Sequence, residues 1–144
     1  MPQPNRRRMV GSALFMLFAA LAPAPSQQAP PDPPTPEAVA GLAKVRAEAG
    51  ARAVELAWLY YSENRIDADK VYRWSRRSRQ ADLDSATDKA GRVAAAEAHL
   101  ARMLKLEAKI AKIRKLGFGN SLDVAEVEYY REEADFWKGD AQAR

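Results

Sequence analysis

The chain contains one histidine, His99, and no cysteine, so few side chains are suited to act as nucleophile, base or metal ligand. Thiol catalysis, zinc-thiolate centres and disulfides are excluded outright. Glu97 lies two residues before His99, and residues two apart on a helix face different sides, so the two cannot share a metal. Neither a histidine pair nor the Glu-x-x-His spacing of a di-iron site occurs. His99 is therefore expected as a partly exposed packing residue. Glu128 and Glu132 share one helix face, but no glycine-rich phosphate cradle or serine–histidine pattern accompanies them, and a solvated face is expected. Gly117-Phe118-Gly119 follows no strand and reads as a helix stop, not a nucleotide loop. No catalytic, cofactor-binding or metal-ligating residue is assigned, no cofactor is called for, and the chain is not expected to be an enzyme.

The densest charge lies at Arg65, Lys70, Arg73, Arg76, Arg77 and Arg79, interleaved with Tyr72 and Trp74. Such a mixture suits phosphate or another anion. Arg73, Arg76 and Arg77 are the candidates for contact with a phospholipid or acidic polymer, against simple solvation of a charged helix. The formal net charge of +4 reflects 23 basic against 19 acidic residues, and three of the basic ones are Arg6, Arg7 and Arg8. Without these the balance is 20 against 19, so nucleic acid is not an expected partner.

Those three arginines precede an apolar run, Met9 to Ala22, with prolines at 23 and 25. Charge followed by a short apolar stretch is the order of a secretory signal. The run is shorter than the ~20 residues that span a bilayer. Residues 1–26 are read as a signal peptide, with Ala24 and Ser26 at the positions a signal peptidase reads and cutting before Gln27. An uncleaved anchor is the alternative. The product is expected to be exported, periplasmic or secreted. Residues 27–36 form a proline-rich linker, and all nine prolines lie at or before Pro36, so nothing downstream forbids helix.

The elements that would carry any site are therefore helical. The expectation for residues 37–144 is an all-α domain of two antiparallel helical hairpins, four helices in all, coiled-coil-like, with hairpins at about 37–83 and 87–138. Thr35-Pro36-Glu37 supplies a cap, a first-turn proline and an acid. Leu42, Val45, Ala49, Leu56 and Leu59 follow one apolar face of the first helix, widened by Val54, Trp58 and Tyr61. Asn64 can take a left-handed backbone and Asp67 can cap the second helix, which places Val71, Trp74 and Ala81 inward. The third helix carries Met103, Leu106, Ile110 and Ile113, with Val93, Leu100, Leu104, Ala108 and Ala111 as a second strip, which calls for two neighbours. Gly117 to Asn120 stop it, and Asn120 with Asp123 can open the fourth helix, whose Val124, Val127, Tyr130, Ala134 and Trp137 face the core.

A shift of 53 positions lays Asn64 on Gly117, Val71 on Val124 and Ala81 on Ala134, which suggests a duplicated hairpin, although chance matching of two similar hairpins accounts for it as well. Arg102, Lys105, Lys109 and Lys112 on the third helix face an acidic fourth helix with Glu126, Glu128, Glu132, Glu133 and Asp135. Pairing between these rows is expected to set the register of the second hairpin.

Gly119-Asn120-Ser121-Leu122-Asp123-Val124-Ala125-Glu126-Val127-Glu128, followed by Glu133-Ala134, resembles the periplasmic hairpin tip of TolC-type outer-membrane efflux proteins. Arg65-Ile66-Asp67 through Val71 resembles it more loosely. In that family the tips dock onto periplasmic adaptor proteins, so the resemblance implies partner contacts at Arg65, Gly119, Asn120, Ser121 and Asp123. This chain lacks the barrel strands and the length of a channel subunit, so docking rather than transport is implied. The expected function is that of an exported, non-catalytic scaffold acting by helix–helix contact with a helical protein of the cell envelope or with itself. The alternative is a binding module for anionic surfaces through the basic face of residues 65–79. Membrane contact would come through an uncleaved signal or that face.

Overall fold

Each helix begins where a side-chain oxygen takes up an amide the helix itself leaves free. Thr35 accepts from the Ala38 amide, Asp67 from Lys70 and Asp88 from Gly91. Asn120 and Asp123 cap each other reciprocally, with both amide-to-side-chain bonds at 3.0 Å. The helices that follow are α1 (Pro36–Ser62), α2 (Ala68–Ser85), α3 (Lys89–Lys115) and α4 (Ser121–Ala143), with no strand among the described residues. The computed structural model describes residues Pro33–Arg144. The expected signal peptide and most of the linker lie outside the described residues.

The two tips are built alike. Asn64 leaves α1 with a φ of 58° and Gly117 leaves α3 with a φ of 84°, both in the left-handed region that ends a helix. Three residues after each, Asp67 and Asn120 cap the returning helix. These two features coincide under the 53-residue shift read from the sequence. The second tip adds Gly119 at a φ of 77°, where an alanine would be strained.

Within the first hairpin α1 packs on α2, within the second α3 packs on α4, and α2 joins the hairpins by lying against α3 and, to a smaller extent, α4. The main core gathers Tyr61, Val71, Tyr72, Met103, Leu106, Ile110, Val127, Tyr130 and Ala134. The third helix thus has the two neighbours its width called for, and Val71, Ala81, Val127, Tyr130 and Ala134 are buried as expected, with Trp74, Val124 and Trp137 half-buried. The hairpins are also tied by polar bonds of opposite sense. Tyr72 is stacked flat on Tyr130, centroids 3.9 Å apart, while the Tyr72 hydroxyl donates to Glu133 and the Tyr130 hydroxyl donates to Asp69 at 3.4 Å. Burial, together with the neighbouring Glu133, pushes the Tyr72 hydroxyl up to about 12, so it stays a donor.

Three expectations need correction. First, α1 turns its large apolar face outward. Leu42, Val45, Leu56 and Leu59 are 66, 60, 51 and 49 % exposed, and Ala49 is exposed too, whereas Val54, Ala57 and Tyr61 are buried and Ala43, Ala47 and Gly50 half-buried. The reason lies in how closely α1 and α2 approach. A Cβ added at Gly50 would meet the Ser78 backbone at 3.2 Å, so at this level the seam has room for small residues and not for leucine. Second, the outer strip of α3 is covered only in part, with Val93 and Leu100 half-buried but Leu104, Ala108 and Ala111 exposed. Third, the basic row of α3 does not pair with α4. Lys105 sits over the Trp58 ring at 4.4 Å and Lys109 over Tyr61 at 4.3 Å, both on α1, and Arg102 turns to Ser75 on α2. Among the described residues the ion pair between α3 and α4 is Arg131–Glu107 at 3.2 Å, with the charges reversed. A cation over an aromatic face at an exposed site is worth about 0.5–1 kcal/mol, as much as an exposed ion pair, so the charge rows have no strong preference for each other.

Candidate functional site

Four places on the molecule were candidates, and the helices treat each differently. The first is the histidine. His99 on α3 is fully buried rather than partly exposed, between Ser75 on α2 and the Trp137 ring on α4, 5.4 Å away. Arg102 Nε donates to Ser75 Oγ at 2.7 Å, and that hydroxyl lies 2.8 Å from His99 Nδ1. The serine oxygen has two lone pairs, so while accepting from Arg102 it can bond Nδ1 with either group as the donor. Burial, and then the cations Arg102, Arg79 and Arg76, lower the His99 pKa to about 3, so the ring is neutral at ordinary pH. The pair has the atoms of a serine–histidine dyad, yet Ser75 and His99 are both 0 % exposed, so no substrate atom reaches the hydroxyl. Its work is structural.

The second place is the basic face. Arg73, Arg76 and Arg77 do come together, lining with Arg46, Arg79, Tyr72 and Gln80 a cavity of about 440 Å3. Much of its charge is engaged internally. Arg73 pairs with Asp69, Arg46 pairs with Asp84, Arg76 and Arg79 lie over Trp137, and Arg77 lies over Trp74.

The third is the pair of tips. Both lie at one end of the molecule, because Asp67 after the first tip and Asp123 after the second line a single cavity of about 680 Å3 with Tyr61, Ile110 and Tyr130. Of the tip residues named from the sequence, Asn120 and Asp123 spend their side chains on the cap, and the Gly119 carbonyl accepts from Arg114 at 3.1 Å. Arg65 folds back over the Tyr60 ring at 4.0 Å and pairs with Glu63. Ser121 is exposed at the head of α4. Beside these, Leu116, Phe118 and Leu122 are exposed and apolar.

The fourth place was not singled out as a site in the sequence. It is the outward stripe of α1, where Leu42, Ala49 and Leu56 form one seven-residue series and Val45, Arg52 and Leu59 the other. That is the spacing of a coiled-coil seam, and among the described residues α1 packs chiefly on α2, with Trp58 and Tyr61 near its end also meeting α3. Compared with protein-family models, curated proteins and solved structures, the chain matches none.

Proposed function

We propose that this chain is an exported, non-catalytic helical module that works by docking a partner helix along the outward stripe of α1. The carrying observation is that stripe itself, with Leu42, Val45, Leu56 and Leu59 between 49 and 66 % exposed on a helix whose opposite face is already packed. A buried Leu or Val contributes about 1.5–3 kcal/mol, so leaving a seam of them in water is costly unless another helix covers it, and contiguous exposed apolar surface marks interaction sites. The enclosure of the Ser75–His99 pair supports a non-catalytic role. The reading accommodates the TolC-type resemblance, in which tips dock onto a partner, with Ser121 and the apolar Leu116, Phe118 and Leu122 exposed to make that contact. The basic-face alternative is weaker, because most of its guanidinium groups already have an acid or a ring as partner.

The test is photo-crosslinking in the expressing cell, with a benzophenone amino acid at position 42 or 56 against a control at Glu97. A discrete crosslinked protein from the stripe positions and none from position 97 is expected. Equal, diffuse labelling from all three overturns the reading.

A further inference from the structure

The groove beside the α1 stripe narrows the choice of partner. Between α1 and α2 two depressions of about 350 and 410 Å3 share Ala53 and Trp74 and so form one continuous channel. Its floor is apolar, with Leu56 and Tyr60 on the α1 side. Its α2 wall carries Lys70 and Arg77, neither with an ion-pair partner among the described residues. The occupant this selects is a helix with an apolar stripe and acidic flanks, of about three turns.

The chain itself carries such a helix. Leu122, Tyr129 and Phe136 of α4 stand at seven-residue intervals and are 65, 61 and 71 % exposed, the outer face of a helix whose other face holds Val127, Tyr130 and Ala134 in the core. Helix α4 has seven carboxylates against two cations. Glu126 lies to one side of the stripe and Glu128 and Asp135 to the other, all three without an ion-pair partner among the described residues. From Leu122 to Phe136 the stripe spans about 21 Å, against about 17 Å for the groove from Ala49 to Tyr60, at 1.5 Å per residue.

We propose that the partner is a second copy of this chain, the outer face of α4 of one molecule lying in the α1–α2 groove of the next. The inference rests on the docking reading above and names its partner. Because donor face and groove are different surfaces, the contact is head-to-tail and repeats. It continues between molecules the stacking of one hairpin on the next that exists within each.

The experiment is sedimentation velocity on the full chain over a hundredfold concentration range. The wild type is expected to grow past dimer as concentration rises. A groove variant, Lys70→Glu with Arg77→Glu, and an α4 variant, Glu126→Lys with Glu128→Lys, are each expected to stay monomeric with unchanged helicity by circular dichroism. Each retains one working face, but both charge patterns are inverted where they meet, so the pairing to test is each variant with wild type. Added in excess, either variant caps the growing chain and lowers its mean mass. A wild type that stays monomeric, one that stops at dimer, or variants that neither lose association nor cap it overturn the proposal. If a monomeric wild type still gives a crosslink from position 56 to another protein, the docking reading stands and the self-partner is lost. If that crosslink is absent too, both fall.

Discussion

Leu106→Ala is expected to lower the unfolding free energy by about 2–5 kcal/mol in urea titration, whereas Leu56→Ala changes it by no more than about 0.5 kcal/mol. Both are leucines in the middle of 27-residue helices. Leu106 is 0 % exposed among Tyr72, Met103 and Val127, so truncation leaves a cavity that neighbouring side chains cannot collapse into. Leu56 is 51 % exposed and loses little on truncation. The contrast is read at protein concentrations low enough that association does not contribute. Equal losses at the two sites would mean that α1 is rotated and its leucines are the packed face.

Acid should unfold the protein earlier than its carboxylates alone require. An unfolded histidine titrates near 6.5, while His99 in the fold is held at about 3 by burial and by Arg102, Arg79 and Arg76. Above pH 6.5 both states are neutral there and the group makes no difference. As pH falls below 6.5 the unfolded chain takes up a proton the folded one refuses, so stability drops by up to about 1.4 kcal/mol per pH unit, until the folded ring also protonates near 3. Asp82, whose pKa is raised by burial, opposes this near the bottom of that range, and Asp69, lowered chiefly by its bond to Arg73, adds to it below its ordinary value. The clean window is therefore from pH 6.5 to about 5. Urea midpoints measured across it should fall steadily for the wild type and stay nearly level for His99→Gln, whatever that variant's stability at pH 7. A wild-type slope that survives the substitution would assign the effect to another group.

The four helices were legible because their ends are written in side chains. Thr35, Asp67 and Asn120 each cap where their type and position suggest, Asn64 takes the left-handed turn, and the glycines at 117 and 119 stop α3. Which face of α1 is buried was not legible from apolar periodicity. Its leucine series and its series of Ala43, Ala47, Gly50, Val54 and Ala57 both follow helical spacing, and size alone favours the leucines. The deciding quantity is the distance to α2, set by Gly50 against Ser78, which is a property of two segments at once. The charge rows of α3 and α4 misled for a related reason. Lys105 and Lys109 found aromatic faces on α1, a helix that nothing in the sequence places beside α3. The same distance between sequence and packing hid the α1–α2 groove, since Ala53, Leu56, Lys70 and Trp74 share no pattern until two helices bring them together.

The absence of natural cysteine allows a direct measurement of the central point, that α1 presents its heptad stripe outward for another helix to cover. Single cysteines at Leu42, Leu56, Val54 and Ala57 would be reacted with a maleimide in dilute purified protein and again in the intact cell. Positions 42 and 56 should react quickly when the protein is dilute and slowly in the cell, while 54 and 57 react slowly in both. Fast reaction at 54 and 57 in the dilute protein, or equally fast reaction at 42 and 56 in the cell, would contradict the account.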